Sequence, residues 1–275
     1  MSNFKIQYAT PHGPGERATF YDIEEFTFPD GQPHIKMAVY KWTPVTIYAR
    51  IKSPTDLFKL GMIVDVLKFN LCGDMHLKIA YLMGARMDRR IDNTSPFTLK
   101  VVCDYINSLD FASIELFDVH SYVSEAILNA TNILPTQFVS TILSQYTNDD
   151  IVVIAPDAGA QHRTEKLAKG YDVVQCLKNR DSNTGALSGF TVCNPSAIVD
   201  KDCLIVDDIC DGGGTFVGLA KELKACGARR VLLYVSHGIF SKGEKLEGIT
   251  EIFTTNSYKA TSEYKDVTVL EFFED

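Results

Sequence analysis

Three short, uninterrupted apolar runs constrain the fold more than anything else in the chain: Ile151-Val152-Val153-Ile154, Cys203-Leu204-Ile205-Val206 and Val231-Leu232-Leu233-Tyr234-Val235. A strand that faces water on one side alternates apolar with polar residues. A run that is apolar at every position has no polar face to offer, so both its faces must be covered. Each run is bounded by turn-forming residues. Between the last two lies a helical stretch, roughly Thr215 to Ala225, which Gly227 ends. That rhythm predicts parallel strands joined by crossover helices, an α/β protein with open sheets flanked by helices.

The N-terminal half follows the same rhythm in a weaker form. Val45 to Arg50 reads as a strand. Ser53-Pro54-Thr55-Asp56 then supplies a cap, a proline at the first helical position and an acid at the third. Leu57, Leu60, Gly61, Val64 and Leu67 follow at helical spacing, Gly73 closes the helix, and Leu77 to Leu82 is the next strand. Ser95-Pro96 opens a second helix with Leu99, Val102, Cys103 and Ile106 on one side, and Ile114 to Phe117 is a strand. Residues 54–82 loosely echo 215–235. With 275 residues this predicts two similarly built domains, 1–148 and 149–275, parted at the polar Asn148-Asp149-Asp150.

Composition excludes several classes of function. A hydrophobic fraction of 45% with 23% charged residues suits a globular chain rather than a disordered one. With 27 Lys and Arg against 35 Asp and Glu, the net charge of −8 argues against nucleic acid as a partner, because phosphate contacts draw on surplus basic residues. No apolar stretch approaches the roughly 18 residues a membrane span needs. Met1 to Pro14 has neither an apolar core nor a basic leader, so no signal peptide is expected. The seven cysteines are odd in number, scattered and without a CxxC pair. They read as buried thiols of a reducing compartment, the cytoplasm, rather than as disulfides or a zinc site.

Chemistry concentrates in Leu204-Ile205-Val206-Asp207-Asp208-Ile209-Cys210-Asp211-Gly212-Gly213-Gly214-Thr215. An apolar strand ends in two adjacent carboxylates, and a glycine-rich turn then leads into a helix. The glycines let backbone N–H groups converge on an anion, the helix N-terminus adds partial positive charge, and the Thr215 hydroxyl adds a donor. Asp207 and Asp208 have the acceptors for two vicinal sugar hydroxyls, or for a magnesium ion beside them. In open α/β sheets, ligands sit at the carboxyl ends of strands, where this loop is expected.

This segment resembles the ribose-5-phosphate loop of the phosphoribosyltransferase-like fold, and other segments resemble the ribose-phosphate pyrophosphokinases within it. Phe26-Thr27-Phe28-Pro29-Asp30-Gly31-Gln32 is similar to that family's Phe-x-Asp-Gly-Glu loop. Gly84-Ala85-Arg86-Met87-Asp88-Arg89 is similar to Tyr-Ala-Arg-Gln-Asp-Arg, and Asp118-Val119-His120 to Asp-Leu-His. Ile154-Ala155-Pro156-Asp157-Ala158-Gly159-Ala160 resembles Ser-Pro-Asp-Ala-Gly-Gly, Lys178-Asn179-Arg180 resembles Lys-x-Arg, and Ser236-His237-Gly238-Ile239-Phe240-Ser241 resembles Thr-His-Gly-Ile-Phe-Ser. The matches run in order over most of the chain, from about Phe26 to Ala260, and are strongest after Ile151.

The resemblance implies an enzyme that moves the pyrophosphoryl group of ATP to C1 of ribose 5-phosphate, with two phosphoribosyltransferase-like domains. The first domain would serve ATP and the second the sugar phosphate. It implies Phe28, Asp30, Gln32, Arg86, Met87, Asp88 and His120 for ATP, and Asp207, Asp208, Asp211, Gly212, Gly213, Gly214 and Thr215 for ribose 5-phosphate. Lys178 and Arg180 are the implied catalytic cations, His120 and Asp157 the implied ligands of Mg2+, and a homo-oligomer the implied assembly. Asp181 to Gly185 would form a mobile lid. Met87, Gly84 and Gln32 depart from the family's glutamine, tyrosine and glutamate, which puts nucleotide choice in question. A phosphoribosyltransferase acting on a base, or a catalytically silent subunit of such a synthetase, are the alternatives.

Overall fold

The computed structural model describes residues 2–9, 19–180 and 187–273, and at 179, 180, 187 and 188 the backbone alone. The chain forms two compact units, one from Met1 to Ile133 and one from Leu134 to Glu274.

In the first unit, β1 (Phe4–Tyr8), β2 (Phe20–Thr27), β3 (Pro33–Met37), β4 (Val45–Ile51), β5 (Met75–Leu82), β6 (Ser113–Phe117) and β7 (Thr131–Ile133) form one sheet in the order β3-β2-β1-β4-β5-β6-β7. The strands from β4 to β7 are parallel, while β1, β2 and β3 extend the sheet antiparallel from the edge of β4. This half of the molecule is therefore mixed rather than mostly parallel. The reason lies in β2: its acidic stretch Asp22, Glu24 and Glu25 leaves only Ile23 buried, and such a strand carries little apolar signal. Helices α1 (Pro54–Phe69), α2 (Thr98–Asn107) and α3 (Tyr122–Leu128) complete the unit.

The start of α1 follows the sequence signal. The Ser53 Oγ accepts the Asp56 N–H (3.3 Å), and Asp56 Oδ2 accepts the N–H groups of Ser53 (2.8 Å) and Lys52 (3.0 Å). Donors that a helix start leaves unsatisfied are thereby paired. Leu99, Val102, Cys103 and Ile106 are the buried positions of α2, as their spacing predicts.

The second unit contains α4 (Thr136–Leu143), β8 (Ile151–Ala155), α5 (Gln161–Leu167), β9 (Val173–Arg180), β10 (Leu187–Val192), β11 (Asp202–Cys210), α6 (Gly214–Ala225), β12 (Arg230–Gly238), β13 (Glu251–Thr255) and β14 (Val267–Leu270). Its sheet runs β10-β9-β8-β11-β12-β13-β14, parallel throughout except for β9 with β10.

The three apolar runs are its centre, and alternation explains why they lack polar positions. Val152, Ile154, Cys203, Ile205, Val231, Leu233 and Val235 pack on one face with Phe216, Leu219 and Leu223 of α6. Ile151, Val153, Leu204, Val206, Leu232 and Tyr234 pack on the other with Val139, Ile142 and Leu143 of α4. Because α4 lays its apolar side on this sheet, the units part after Ile133, ahead of the polar stretch at 148–150.

All seven cysteines are free. Cys103, Cys176, Cys203 and Cys210 are buried, and burial pushes their thiols up to about 12, leaving them inert. Cys72 and Cys226 are only half-buried, and Cys193 is exposed beside the polar Asn194 where β10 ends. No helix among the described residues is long and apolar enough to cross a membrane.

Candidate active site

The carboxyl edge of the second sheet carries the glycine-rich loop. β11 does not stop at Val206: it continues in parallel register with β12, pairing Asp207 with Val235, Ile209 with His237 and Cys210 with Gly238. Asp207 and Asp208 therefore stand on the last turns of a strand whose backbone is held on one side, which fixes their direction. Asp207 is half-buried and Asp208 buried. Desolvation, and then the neighbouring Asp208 charge, push the Asp207 carboxyl well above the ordinary range, although the Arg163 guanidinium opposes the shift. Two carboxyls so placed repel each other when both are charged, and a donor hydroxyl or a cation entering between them would relieve that repulsion.

Beyond Cys210 the chain turns through Asp211 and Gly212 into Gly213, which caps α6 in the left-handed region at φ 74°. A methyl group on Gly213 would lie 2.3 Å from Leu246 Cδ2, and one on Gly212 3.4 Å from Lys242 Cδ. Gly214 faces open space. The loop is thus closed on one side by residues 242–246 and open on the other, with the first unpaired N–H groups of α6 behind it. Gly213→Ala is expected to cost about 1–3 kcal/mol, from left-handed strain and displacement of the buried Leu246. A urea melt of the two proteins measures it, and coincident curves would contradict this account of the loop.

On the adjacent strand, Asp157 follows β8. Its Oδ1 accepts the Ala160 N–H (2.9 Å), and its Oδ2 meets Lys178 Nζ at 2.6 Å. Burial acts to raise the Asp157 carboxyl, but the Lys178 ammonium together with the N–H groups of Ala160 and Gly159 outweigh it and hold it below its usual value. Lys178 lies within β9, opposite Phe190 of β10. Arg180 ends β9, and its side chain, like residues 181–186 with the expected lid, lies outside the described residues.

The first unit gathers its candidates at two places. The turn between β2 and β3 is closed by Gly31 at φ 89° and by hydrogen bonds from Gln32 to Asp30, backbone N–H to Oδ1 (3.1 Å) and side-chain amide to Oδ2 (2.8 Å). Asp30 and Gln32 therefore hold each other. Phe26 and Phe28 meet edge to face at 5.2 Å with His34 beside them, yet stay 42% and 47% exposed. Aromatic rings left in water at a rigid turn suit a flat ligand.

At the carboxyl edge of the first sheet, Met87 sits half-buried, its N–H bonded to Gly84 and its carbonyl accepting from Leu99, while Arg86 is exposed. Asp88 Oδ2 accepts the Ser121 hydroxyl at 2.8 Å, which ties the loop after β5 to the loop after β6. Ser121 also caps α3, and the exposed His120 precedes it. Asp88 and His120 thus come together, at the ends of adjacent parallel strands.

Among the described residues, no group of three or more His, Cys, Asp and Glu is placed to hold a metal ion. His120 belongs to the first unit and Asp157 to the second. The ionised Asp157 carboxylate is the hard oxygen donor that Mg2+ takes, alongside substrate phosphates.

Arg163 and Lys242 are two further cations at this edge that no sequence motif singles out. Each stands among other polar residues, and only the fold carries one to Asp207 and the other to Gly212. Arg163 lies one helical turn after the Asp157 loop, the only signal it offered.

Comparison with known proteins bears on the fold and the family. The chain is 26% identical over 264 residues to a ribose-phosphate pyrophosphokinase of Mycoplasmopsis pulmonis, covering 91% of this chain and 82% of that one. It is 27% identical over 251 residues to that of Pyrococcus furiosus, covering 88% of each. A phosphoribosylpyrophosphate synthetase of Mycobacterium smegmatis has the same fold, with a TM-score of 0.77 at 20% identity over 91% of this chain and 86% of that one. Residues 125–269, more than half of the chain and nearly all of the glycine-loop sheet, match the phosphoribosyl transferase domain family, and the chain belongs to that family.

Proposed function

We propose that the protein is a ribose-phosphate diphosphokinase: it transfers the β,γ-pyrophosphoryl group of ATP to the C1 hydroxyl of ribose 5-phosphate, releasing AMP. The observation that carries this reading is the second unit's carboxyl edge, where an anion-binding glycine loop, paired carboxyls and a lysine set against an aspartate converge on neighbouring strands. The likeness to named pyrophosphokinases over nine-tenths of the chain supports it.

In this reading Gly212, Gly213, Gly214 and Thr215 take the 5-phosphate on backbone N–H groups and a hydroxyl, while Asp207 and Asp208 accept from the ribose hydroxyls and Asp211 flanks them. The C1 oxygen attacks the β-phosphorus in line as the bond to the α-phosphate oxygen breaks, and the C1 hydroxyl proton leaves to solvent. Lys178 and Arg180 neutralise charge on the transferring oxygens, work done by positioning and electrostatics. Phe28 offers a face to adenine, Asp30 and Gln32 its polar edge, and Arg86, Met87, Asp88 and His120 line the phosphate side. Mg2+, when bound, neutralises phosphate charge and polarises the phosphorus centres. Asp157 and His120 are its proposed protein ligands. A homo-oligomer, in which the exposed Phe26 and Phe28 turn serves a neighbouring copy, and a cytoplasmic setting suited to free thiols complete the proposal.

The test is direct. ATP, ribose 5-phosphate and magnesium are expected to yield AMP and phosphoribosyl pyrophosphate in equal amounts. An absence of AMP would overturn the proposal and turn attention to transfer of the sugar phosphate to a base.

A further inference from the structure

We infer that Lys242 is a binding residue for the sugar phosphate, an ammonium held over the glycine loop that adds a side-chain charge to the backbone donors of Gly212 to Gly214. The inference deepens the reading of that loop as the 5-phosphate site and rests on it.

The segment that carries Lys242 is tied to the loop itself. The N–H groups of Ile239 and Phe240 donate to the Cys210 carbonyl (2.9 and 3.1 Å), and the Ser241 N–H donates to the Asp211 carbonyl (3.1 Å). Downstream the segment is pinned again. Glu244, only 7% exposed, accepts from Lys259 Nζ at 3.1 Å and from the Ser262 hydroxyl, and the buried Leu246 packs on Gly213.

Between these anchors the Lys242 stem runs along Gly212. A methyl group there would meet Cδ at 3.4 Å, Cε at 3.6 Å and Cγ at 3.8 Å. The aliphatic chain is therefore laid on the backbone of the loop assigned to the 5-phosphate, and its ammonium lies one bond beyond Cε. That ammonium is exposed and makes no hydrogen bond or ion pair among the described residues.

In a chain with net charge −8, a lysine with no carboxylate partner and a stem seated on an anion loop is oriented for an anionic ligand. An ammonium acts on phosphate as a point charge, so it strengthens binding of a phosphomonoester in ground state and transition state alike. The neighbouring Lys245, exposed on the same segment, is not among the nearest neighbours of Gly212, Gly213 or Gly214 and serves as control.

The experiment compares the parent with Lys242→Met, Lys242→Arg and Lys245→Met. In AMP formation, Lys242→Met is expected to raise KM for ribose 5-phosphate about tenfold, equivalent to about 1.4 kcal/mol. Most of the loss in kcat/KM falls in KM, and KM for ATP stays at the parent's value. Lys242→Arg recovers most of the loss. Inorganic phosphate supplies a readout without turnover: it raises the melting temperature of the parent and of Lys245→Met, and of Lys242→Met much less.

Equal KM values for ribose 5-phosphate in the parent and Lys242→Met, or an equal loss in Lys245→Met, would overturn the inference while leaving the diphosphokinase reading intact. A parent that makes no AMP overturns that reading instead, and the phosphate shift still reports on Lys242.

Discussion

Lys178→Ala is expected to lower kcat for AMP formation at least about a hundredfold, or about 3 kcal/mol in the barrier. The physical basis is its position. Lys178 is carried by β9 beside the carboxyl edge of β8, and its ammonium lies 2.6 Å from Asp157. The pair is part-exposed, at 23% and 33%, so it adds little to folding. The melting temperature should therefore hardly move while the rate collapses, which separates a chemical role from a structural one.

The carboxylate adds a pH signature. Burial alone would raise Asp157, and Lys178 with the N–H groups of Ala160 and Gly159 hold it down. Removing the lysine lets the carboxyl rise, so whatever Asp157 binds as an anion is lost at higher pH in the variant than in the parent. Lys178→Arg keeps a charge but changes its shape, and an intermediate rate is expected. Unchanged activity in Lys178→Ala would overturn its role and reopen the reading of the chain as a silent subunit.

The largest effect on stability is expected at the opposite end of β11. Asp202 is fully buried, yet it accepts from Arg229 Nε at 2.9 Å and from Arg230 through Nη2 at 2.5 Å. Burial acts to raise its carboxyl, and the hydrogen bonds and charges of Arg230 and Arg229 outweigh this and lower it to about 2. Replacing both arginines by methionine keeps an apolar stem over Asp202 and removes both charges. An uncompensated buried carboxylate then costs about 3–5 kcal/mol at neutral pH.

The pH dependence should change sign. In the parent, a carboxyl lowered on folding stabilises the native state above its unfolded value near 3.8, and this contribution is lost as pH falls toward about 2. In the double variant the folded carboxyl is raised instead, so stability is gained as pH falls and the carboxyl is protonated. Urea melts across pH 2 to 7 read both slopes, and parallel slopes in parent and variant would refute the account. Adding Asp202→Asn to the double variant is expected to restore much of the loss.

The parts of the fold legible in the residues were those where local chemistry and tertiary context agree. The apolar runs at 151, 203 and 231 had to be strands covered on both faces, and they are. Ser53 to Asp56 had to start a helix because the motif satisfies its own donors. The strands β1 to β3 were not legible, since their stability comes from pairing along β4 rather than from an apolar pattern of their own. The unit boundary was also hidden. A polar stretch marks exposure, whereas a boundary depends on which sheet receives the apolar side of α4.

At the site, the sequence by itself determined the glycine loop, the two carboxyls and the order of the motifs, because these rest on residue type and on spacing along one strand, turn and helix. The tertiary structure alone decided three other matters. It extended β11 through the carboxyls, it set Lys178 against Asp157 across neighbouring strands, and it laid Lys242 on Gly212. The reason is range: a turn or a cap is built by residues within a few positions of each other, while the direction of a lysine is set by neighbours 21 or more positions away, as it is for Lys178 and Asp157.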